Sequence, residues 1–338
     1  MTGWVADGLF ATLFPLAAII VVASKPQRFI VALLAIVASF CVLDQTRWQP
    51  WVFLYSALLL TLALFSWESA DAAGARRALN VARLIIAFTY VFSGLQKANS
   101  NFMTNGFPWI AQPITKALPS TTYVFQMLAP VAPFAQMAFG LGLLTREFRR
   151  ASLIAAIAMH LFILAMLGPT GLDWNNVIWP WTAAMAVFDV LLFTGKVEET
   201  GLEILRPSRP FHAIALLAFA VLPLLSFFNL WDSYLSAALY SGNLTEAEIY
   251  LTDAGKASLP APIGERALTA PTGASVINLQ RWAIEDLNVT PYPETRVFKA
   301  IARKICGRLP DPAQLVLIIR EQRMFRSKPE TGYRCWEV

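Results

Sequence analysis

The feature that most constrains this chain is a series of apolar runs. Each is long enough, or nearly so, to cross the roughly 30 Å hydrocarbon core of a bilayer as a helix. Only 14% of the 338 residues are charged, whereas soluble globular domains carry about 25%, so the chain has too little charge to cover a water-facing surface. We therefore predict an all-α polytopic membrane bundle of about eight transmembrane helices over residues 1–229. The apolar runs cover approximately 8–24, 29–44, 51–67, 82–98, 121–145, 151–168, 177–195 and 211–229.

The character of the chain changes after residue 230. The stretches "EAEIYLTD", "QLVLIIREQRMF" and "YRCWEV" have the composition of strands. Between them "VINLQRWAIEDL" and "PETRVFKAIARKICGRL" read as helices. In the second, Val297, Ile301 and Ile305 recur at i, i+4 and i+8 and form one apolar stripe. These patterns predict a small α+β domain over residues 230–338.

Lysine and arginine are concentrated in alternate connections between the apolar runs, and such connections normally face the cytoplasm. Both termini and the α+β domain are therefore predicted to be extracytoplasmic, with a bacterial inner membrane as the expected location. Residues 1–8 contain no Lys or Arg, so we expect the first run to be a retained helix. The basic connections hold Lys25, Arg28, Arg76, Arg77, Arg83, Arg146, Arg149, Arg150, Lys196, Arg206 and Arg209, and the opposite ones only Arg47, Lys97 and Lys116.

Three cysteines are present, and two of them fall in the predicted extracytoplasmic domain. Cys306 and Cys335 are a candidate disulfide in that oxidising environment, although spacing alone cannot show that they meet. Cys41 is expected to be a packing residue. No CxxC, HExxH or carboxylate cluster indicates a metal site. The net charge of +5 is dispersed, which argues against a nucleic-acid partner.

An ionisable group within an apolar run needs a reason, because a charge at mid-helix costs roughly 2.5–3.5 kcal/mol. In "FTYVFSGLQKANSNF", Tyr90, Gly94 and Lys97 share one helix face by their i, i+4, i+7 spacing. Gly94 would let another helix or a ligand approach the backbone. Two interpretations of Lys97 stay open: it anchors the helix end at the headgroups, or it is a desolvated amine that acts as a base.

Two further ionisable residues lie in "AIAMHLFILAML" and "AMAVFDVLLF". His160 is either a hydrogen-bonded core residue or a partner in a site, and Asp189 is expected to be structural. The loop "GPTGLDWNNVIWPW" is typical of an interfacial tryptophan belt. Because it lies on the predicted side of Lys97, its tryptophans could also form the wall of a pocket for a quinone-like molecule.

The stretch "YVFSGLQKANSNF" resembles a segment of the vitamin K-dependent gamma-carboxylase family and of the related bacterial HTTM membrane proteins. That segment reads aromatic, small, Gly, two residues, Lys, then acidic or amide residues and an aromatic. "LLTREFRRASLIAAIAMHLFILAML" is similar to the family's basic loop, helix and His-Leu-Phe. The resemblance covers about residues 80–230.

This resemblance implies a chemistry and a set of site residues. Lys97 would be the base that deprotonates a vitamin K-type hydroquinone, and His160 its catalytic partner. Oxygenation of the quinol to an epoxide would drive addition of CO2 to the γ-carbon of a Glu in an extracytoplasmic protein or peptide. The tail of about 109 residues is expected to be too short to replace the large lumenal region of animal carboxylases. The residues expected around the quinol are Tyr90, Gly94, Asn99, Asn101, Trp174 and Trp179.

Two other functions remain open at this stage. The chain would be a non-enzymatic, DoxX-like membrane assembly or partner-binding subunit if Lys97 only anchors its helix. A transporter is less favoured, because no pair of broken helices recurs in corresponding halves of the sequence.

Overall fold

The computed structural model describes residues 3–68, 72–194, 199–270, 273–321 and 330–338. Over these ranges the chain is mostly helical, with a small antiparallel sheet near its C-terminus. The helices before the sheet are α1 (Gly3–Val22), α2 (Gln27–Leu43), α3 (Pro50–Glu68), α4 (Ala72–Lys97), α5 (Phe107–Ile110), α6 (Gln112–Ala117), α7 (Thr122–Leu128), α8 (Ala132–Leu143), α9 (Arg149–Leu167), α10 (Ile178–Phe193), α11 (Gly201–Leu205) and α12 (Pro210–Leu216).

Fewer helices reach membrane-spanning length than the eight predicted. Among the described residues, three are long and apolar enough to cross a bilayer: Ala73–Lys97, Arg149–Leu167 and Pro210–Phe228. The bent pair Pro119–Leu128 and Ala132–Leu143 makes a fourth if it is counted as one span. The other apolar helices are shorter, namely Asp7–Val22, Gln27–Leu43, Pro50–Phe65 and Ile178–Phe193.

One of the predicted continuous helices is bent, and another changes its helical type along its length. The run predicted over 121–145 bends by 58° between α7 and α8, where Pro130 and Pro133 remove backbone donors and crowd the preceding turn. The last apolar run changes from α12 to a π-helical turn at Leu217–Val221 and then to a 3₁₀ helix at Leu222–Phe228. Such π turns inside helices are frequent at functional sites.

Helix α4 lies at the centre of the bundle and packs against α3, α8, α10 and α12. It begins at Ala72, well before the predicted start at residue 82. Arg83, which the sequence placed in a loop, is consequently buried in the bundle, where its Nε donates to the carbonyl oxygen of Leu192 at 2.9 Å. Every residue from 81 to 87 is buried, so this part of α4 forms the bundle core.

The sheet domain follows a linker that we define as residues 229–243. Its elements are β1 (Glu246–Leu251), α13 (Asp253–Ser258), α14 (Ala261–Gly264), β2 (Leu268–Thr269), β3 (Ser275–Asn278), α15 (Leu279–Leu287), α16 (Thr295–Cys306), β4 (Leu315–Arg320) and β5 (Glu330–Arg334). Its strands have the order β2-β3-β1-β4-β5 and pair antiparallel. Side chains of β1 and β4 alternate in burial, and Ile249 and Leu317 pack with Phe298 of α16 in a closed core.

The α+β character of the tail is confirmed, with one difference in its elements. The stretch predicted as a helix from Val276 begins as strand β3, and α15 starts only at Leu279. Asn278 explains the boundary, because its side-chain oxygen caps the helix by accepting from the backbone N–H of Arg281 at 2.9 Å. The last four residues of "QLVLIIREQRMF" lie outside the described ranges.

The predicted disulfide is present. It joins Cys306, the last residue of α16, to Cys335, which follows β5, with their Cα atoms 5.7 Å apart. The bond fixes the C-terminal residues against the helix that covers the sheet. Cys41 is free and buried in α2, as the sequence predicted.

Candidate functional site

A cavity of about 170 Å³ lies inside the bundle between α3, α4, α9, α10 and the linker. Its wall is mainly aromatic and aliphatic, as is usual for a small-molecule site with a few placed polar groups. The apolar lining includes Phe53, Phe88, Phe92, Ile163, Trp181, Met185 and Phe219. The polar lining from the helices includes Thr89, Tyr90, Ser93, Lys97, Gln136, His160 and Thr182.

Helical periodicity explains which side chains reach this cavity. Tyr90, Ser93 and Lys97 are spaced i, i+3, i+7 along α4 and therefore lie on one face. Trp181 and Met185 are four residues apart on α10 and line the opposite wall. The cavity thus forms where the polar face of α4 approaches the face of α10 that carries Trp181 and Met185.

Lys97 is the last residue of α4 and is half-buried. Its Nζ donates to two atoms one turn back, the carbonyl oxygen of Ser93 at 3.1 Å and the Ser93 hydroxyl at 2.5 Å. The ring of Phe102 lies 6.0 Å away. Across the described ranges, no carboxylate forms an ion pair with this amine. Lys97 therefore places an amine without a counter-ion at the wall of an apolar cavity.

Tyr90, His160 and Asp189 come together from three helices. The Tyr90 hydroxyl lies 2.6 Å from Nε2 of His160 and 2.6 Å from Oδ2 of Asp189. All three side chains are buried, and Asp189 has no exposed surface. The sequence placed Tyr90 and His160 among the site residues but expected Asp189 to be structural. In the structure Asp189 does not line the cavity itself, but it is hydrogen-bonded to Tyr90, which does.

Several polar atoms of cavity-lining residues have no hydrogen-bond partner within the described part of the chain. They are Nδ1 of His160, Nε1 of Trp181 and Nε1 of Trp231. Buried polar atoms are nearly always bonded, because leaving one unpaired costs about 1–3 kcal/mol. Three such atoms around one cavity can therefore bond to a ligand or to water.

Gly94, predicted to let a helix or a ligand approach, faces another helix. A Cβ at this position would lie 2.6 Å from the carbonyl oxygen of Pro133 and 2.7 Å from Cγ of Met137. Gly140 of α8 is equally close to the backbone of α4 at Ala87. These glycines allow α4 and α8 to pack backbone to backbone, and Gly94 itself does not line the cavity.

The amides after Lys97 bind the linker. Asn99 donates to the carbonyl oxygen of Ser241 at 2.7 Å, and Asn101 donates to that of Gly242 at 2.9 Å. Gly242 has a positive φ of 68° and packs so closely on Phe102 that a side chain would clash. The two amides, predicted to bind a quinol, therefore hold the segment that closes one end of the cavity.

The predicted tryptophans lie beside the cavity rather than in its wall. Trp179 donates its Nε1–H to the carbonyl oxygen of Leu167 at 2.9 Å. The ring of Trp174 packs on Trp109 with centroids 5.4 Å apart, at a second groove between the bundle and the sheet domain. Trp181 is the tryptophan of this segment that lines the cavity. Its i, i+4, i+8 spacing with Met185 and Asp189 places the three residues on one helix face, and this pattern could have identified Trp181 from the sequence.

A second polar cluster ties the linker to the sheet domain. Arg296 makes two bonds to the Asp232 carboxylate, one of them from Nη1 to Oδ1 at 3.0 Å. Tyr292 donates to Asp232 at 2.6 Å, and Ser233 donates its backbone N–H and hydroxyl to Glu294 at 2.8 and 3.0 Å. Here each acid has several donors.

The pKa values of the two acids in this cluster move in opposite directions. Burial acts to raise the pKa of Asp232, but the hydrogen bonds from Arg296 and Tyr292 outweigh it and hold the pKa below its ordinary 3.8. Burial raises the pKa of Glu294 above its ordinary 4.5, and the bonds from Ser233 offset only part of that rise. Tyr240, at the end of the linker that lines the cavity, has its pKa raised by burial to about 12.

The described residues contain no group of three or more His, Cys, Asp and Glu side chains that could hold a metal ion. Comparison of the chain with protein-family models, with curated proteins and with solved structures found no match.

Proposed function

We propose that the bundle cavity binds a reduced quinone and that Lys97 takes a proton from one of its hydroxyl groups. The observation that carries this proposal is an amine without a carboxylate partner at the wall of an aromatic cavity. An amine surrounded by apolar groups favours its neutral form, in which it can accept a proton. Its bond to Ser93 fixes its position without neutralising it.

The residues present fit a ligand of this class. A hydroquinone is flat and aromatic and has an oxygen at each end of its ring. The aromatic walls match the ring, and the unpartnered N–H groups of Trp181 and Trp231 can donate to its oxygens. His160 adds a third unpartnered polar atom. The cavity therefore offers both stacking surfaces and oxygen partners to the same molecule.

The reaction that we propose is of the carboxylase type that the Lys97 motif resembles. One hydroquinone, one O2, one CO2 and one glutamyl side chain would yield an epoxide, a water, a proton and a γ-carboxylated side chain. The bound quinol supplies the reducing equivalents and the strong base. The chain supplies Lys97 as the first proton acceptor and an apolar enclosure that excludes water, which would quench the base. The acceptor would be an extracytoplasmic protein or peptide.

We further propose that the shorter apolar helices also lie in the bilayer, giving about eight segments at membrane depth in a bacterial inner membrane. Large apolar side chains on α1 support this, since Trp4, Phe10 and Phe14 are 77%, 51% and 66% exposed. Such a surface is unfavourable in water and favourable in lipid. By the charge asymmetry both termini and the sheet domain face outward. A reporter fused after Val338 that is active only in the cytoplasm would contradict this orientation.

The test of the function compares Lys97→Arg with Lys116→Arg in purified protein in lipid nanodiscs. Arginine keeps the charge of Lys97 but does not release its proton near neutral pH. We expect Lys97→Arg to lower oxygen-dependent epoxide formation from a naphthohydroquinone by about 10²–10⁴-fold, the usual effect of losing a general base. Lys116 is exposed on α6, so the same substitution there should leave the rate unchanged.

The outcomes separate the two interpretations of Lys97. Equal rates in wild type and Lys97→Arg would show that Lys97 only anchors its helix, and would favour a non-enzymatic, partner-binding membrane subunit. Hydroquinone binding and thermal unfolding are measured on the same samples, so that a misfolded variant is recognised.

A further inference from the structure

The contact between Tyr90, His160 and Asp189 can hold its protons in only a few ways. Tyr90 has one proton to donate and two close neighbours, Nε2 of His160 and Oδ2 of Asp189, each at 2.6 Å. It therefore donates to one and accepts from the other. The choice is set by whether Asp189 carries a proton.

If Asp189 is ionised, the Tyr90 hydroxyl donates to it and accepts from Nε2–H of His160. Nδ1 of His160 then has a free lone pair. If Asp189 is protonated, it donates to the Tyr90 oxygen and Tyr90 donates to Nε2, so that a neutral imidazole carries its proton on Nδ1. The single proton on Asp189 thus decides whether Nδ1 is an acceptor or a donor.

Nδ1 is the atom through which this network can meet a ligand. It is buried, has no partner among the residues that the structure describes, and belongs to a residue of the cavity wall. The other free atom of the network, Oδ1 of Asp189, is also unpartnered, and Asp189 does not line the cavity. The network therefore connects the cavity at one end to a buried acid at the other.

We propose that His160, Tyr90 and Asp189 form a proton relay that takes a second proton from the cavity ligand. In one transfer the ligand O–H bond breaks and an Nδ1–H bond forms. The Nε2 proton passes to the Tyr90 oxygen, and the Tyr90 proton passes to Oδ2 of Asp189. The ligand loses one proton, Asp189 gains one, and the imidazole stays neutral throughout.

A hydroquinone has two hydroxyl protons, and Lys97 accepts one of them. The relay gives the second proton a destination inside the bundle, so that both leave without water in the cavity. Assigning the ligand as a hydroquinone rests on the proposed function. The coupling of His160 to Asp189 rests on the two 2.6 Å contacts alone.

Other charged groups on the packed helices are few. On α4, Lys97 lines the same cavity, and the buried Arg83 is bonded to Leu192 and Asn80 and lies 3.5 Å from Glu199. Helix α8 carries no charged residue, and α10 carries only Asp189. On α9 itself, Arg149 and Arg150 lie at the opposite end from the cavity. Asp189 is therefore the acid nearest to His160 that can take the proton, with the carboxylate 3.8 Å from Nε2.

The coupling between the protonation of Asp189 and the tautomer of His160 can be measured directly by ¹⁵N NMR of histidine-labelled protein without ligand. The chain has only two histidines. Nε2 of His212 lies 2.8 Å from the carbonyl oxygen of Ile204 and must keep its proton, so His212 is an internal reference. As pH rises and Asp189 ionises, we expect neutral His160 to change from the Nδ1–H to the Nε2–H tautomer.

Two variants remove parts of the relay. Asp189→Asn keeps the size and an acceptor oxygen but cannot gain a proton, and Tyr90→Phe removes the bridge. We expect the pH-dependent tautomer change to be lost in both. A fixed His160 tautomer in the wild type, or an unchanged response in Asp189→Asn, would overturn the relay. Because the wild-type measurement needs no substitution, a variant that fails to fold does not spoil the test.

An anaerobic titration of a bound naphthohydroquinone, followed by its phenolate absorbance, tests the ligand step. We expect two ionisations in the wild type and one in Asp189→Asn, with turnover lowered on the order of 10²-fold. Two ionisations in Asp189→Asn would overturn the role of the relay in ligand deprotonation. If the probe does not bind while the His160 tautomer still follows Asp189, the proposed function fails and the coupling stands.

Discussion

The cavity and the linker cluster use similar polar residues in opposite ways. Around Asp232 and Glu294, burial is matched by donors from Arg296, Tyr292 and Ser233. Around the cavity, polar atoms of His160, Trp181 and Trp231 are buried without partners in the described chain. The first cluster bonds within the protein, whereas the second leaves polar atoms to which the proposed quinol can bond. Substitutions in the linker cluster should therefore change stability, and those in the cavity should change binding and turnover.

The largest expected effect comes from opening the disulfide of the sheet domain. The bond closes a sequence separation of 29 residues, for which loop entropy gives roughly 3.5 kcal/mol of stabilisation. We expect Cys306→Ser with Cys335→Ser to lower the free energy of unfolding of the sheet domain by about this amount. Denaturant unfolding monitored by limited proteolysis of the domain measures it.

The same variant tests whether the two regions are independent. Hydroquinone binding in the bundle cavity should change little, because the disulfide is at the C-terminal end of α16 and the linker contacts of Glu294 and Arg296 are at its N-terminal end. Cys41→Ala is the control, since Cys41 is free and the disulfide stays intact. Loss of binding together with loss of the bond would show that the cavity depends on the sheet domain as a whole.

A second test widens the close contact between α4 and α8. A methyl group at Gly94 would lie 2.6 Å from the Pro133 carbonyl oxygen, so Gly94→Ala must push the helices apart. We expect a loss of about 1–3 kcal/mol, as for other overpacked cores, and a weaker quinol affinity, because Tyr90 and Lys97 move with α4. Gly8→Ala in α1 is the matched control.

We expect the control Gly8→Ala to raise the stability of the protein, whereas Gly94→Ala should lower it. Nothing lies within 4 Å of a Cβ at Gly8, and replacing a helical glycine by alanine stabilises by about 0.5–1 kcal/mol. Thermal unfolding in nanodiscs compares the two. Equal stability of both variants would mean that α4 and α8 are free to separate without cost.

These positions also show what the sequence could reveal. The stripe of Val297, Ile301 and Ile305 and the low charge before residue 230 depend on local pattern, and they predicted α16 and the helical bundle correctly. Lys97 and His160 could also be identified from the sequence, because ionisable residues are rare in apolar helices. Both line one cavity in the structure.

The other features of the site could not be predicted, because they depend on contacts between residues that are far apart in the sequence. Tyr90 and Asp189 are 99 residues apart and meet only because α4 and α10 pack together. No local pattern distinguishes an acid that pairs with a tyrosine from one that pairs with a loop arginine. Asn99 and Asn101 were assigned to a ligand through the family resemblance, and no recognisable motif marks their actual partners, Ser241 and Gly242. Helix length was also predicted incompletely, since the run over 121–145 bends by 58° near Pro130 and Pro133.

Substituting the two tryptophans at the start of α10, Trp179 and Trp181, should have smaller effects on stability, and the two effects should differ. Trp179→Phe removes a bond to the Leu167 carbonyl oxygen and should cost about 0.5–1.5 kcal/mol in stability. Trp181→Phe removes an N–H that has no partner in the described chain, so it should cost less stability but weaken quinol binding. Thermal unfolding and binding isotherms measured on both variants decide this. Equal binding by Trp181→Phe and wild type would remove Trp181 from the ligand site.

The smallest expected effect is the pH response of the linker cluster. The pKa of Asp232 is lowered on folding, so its contribution is present above the unfolded value near 3.8 and is lost as pH falls through the folded value. The pKa of Glu294 is raised on folding, so its protonation stabilises the fold as pH falls towards 4.5. Because Arg296 is 57% exposed, water screens the pair and we expect only about 0.2–1 kcal/mol from it.

Single substitutions assign the two responses. On acidification from neutral pH, wild-type stability should first rise slightly as Glu294 gains its proton and then fall as Asp232 loses its charge. Glu294→Gln should remove the rise, and Asp232→Asn should remove the contribution of Asp232 to the fall. Melting temperatures across the acid range measure both. Quinol binding should be unaffected by either change, and a loss of binding in Asp232→Asn would show that the linker cluster acts on the cavity as well as on stability.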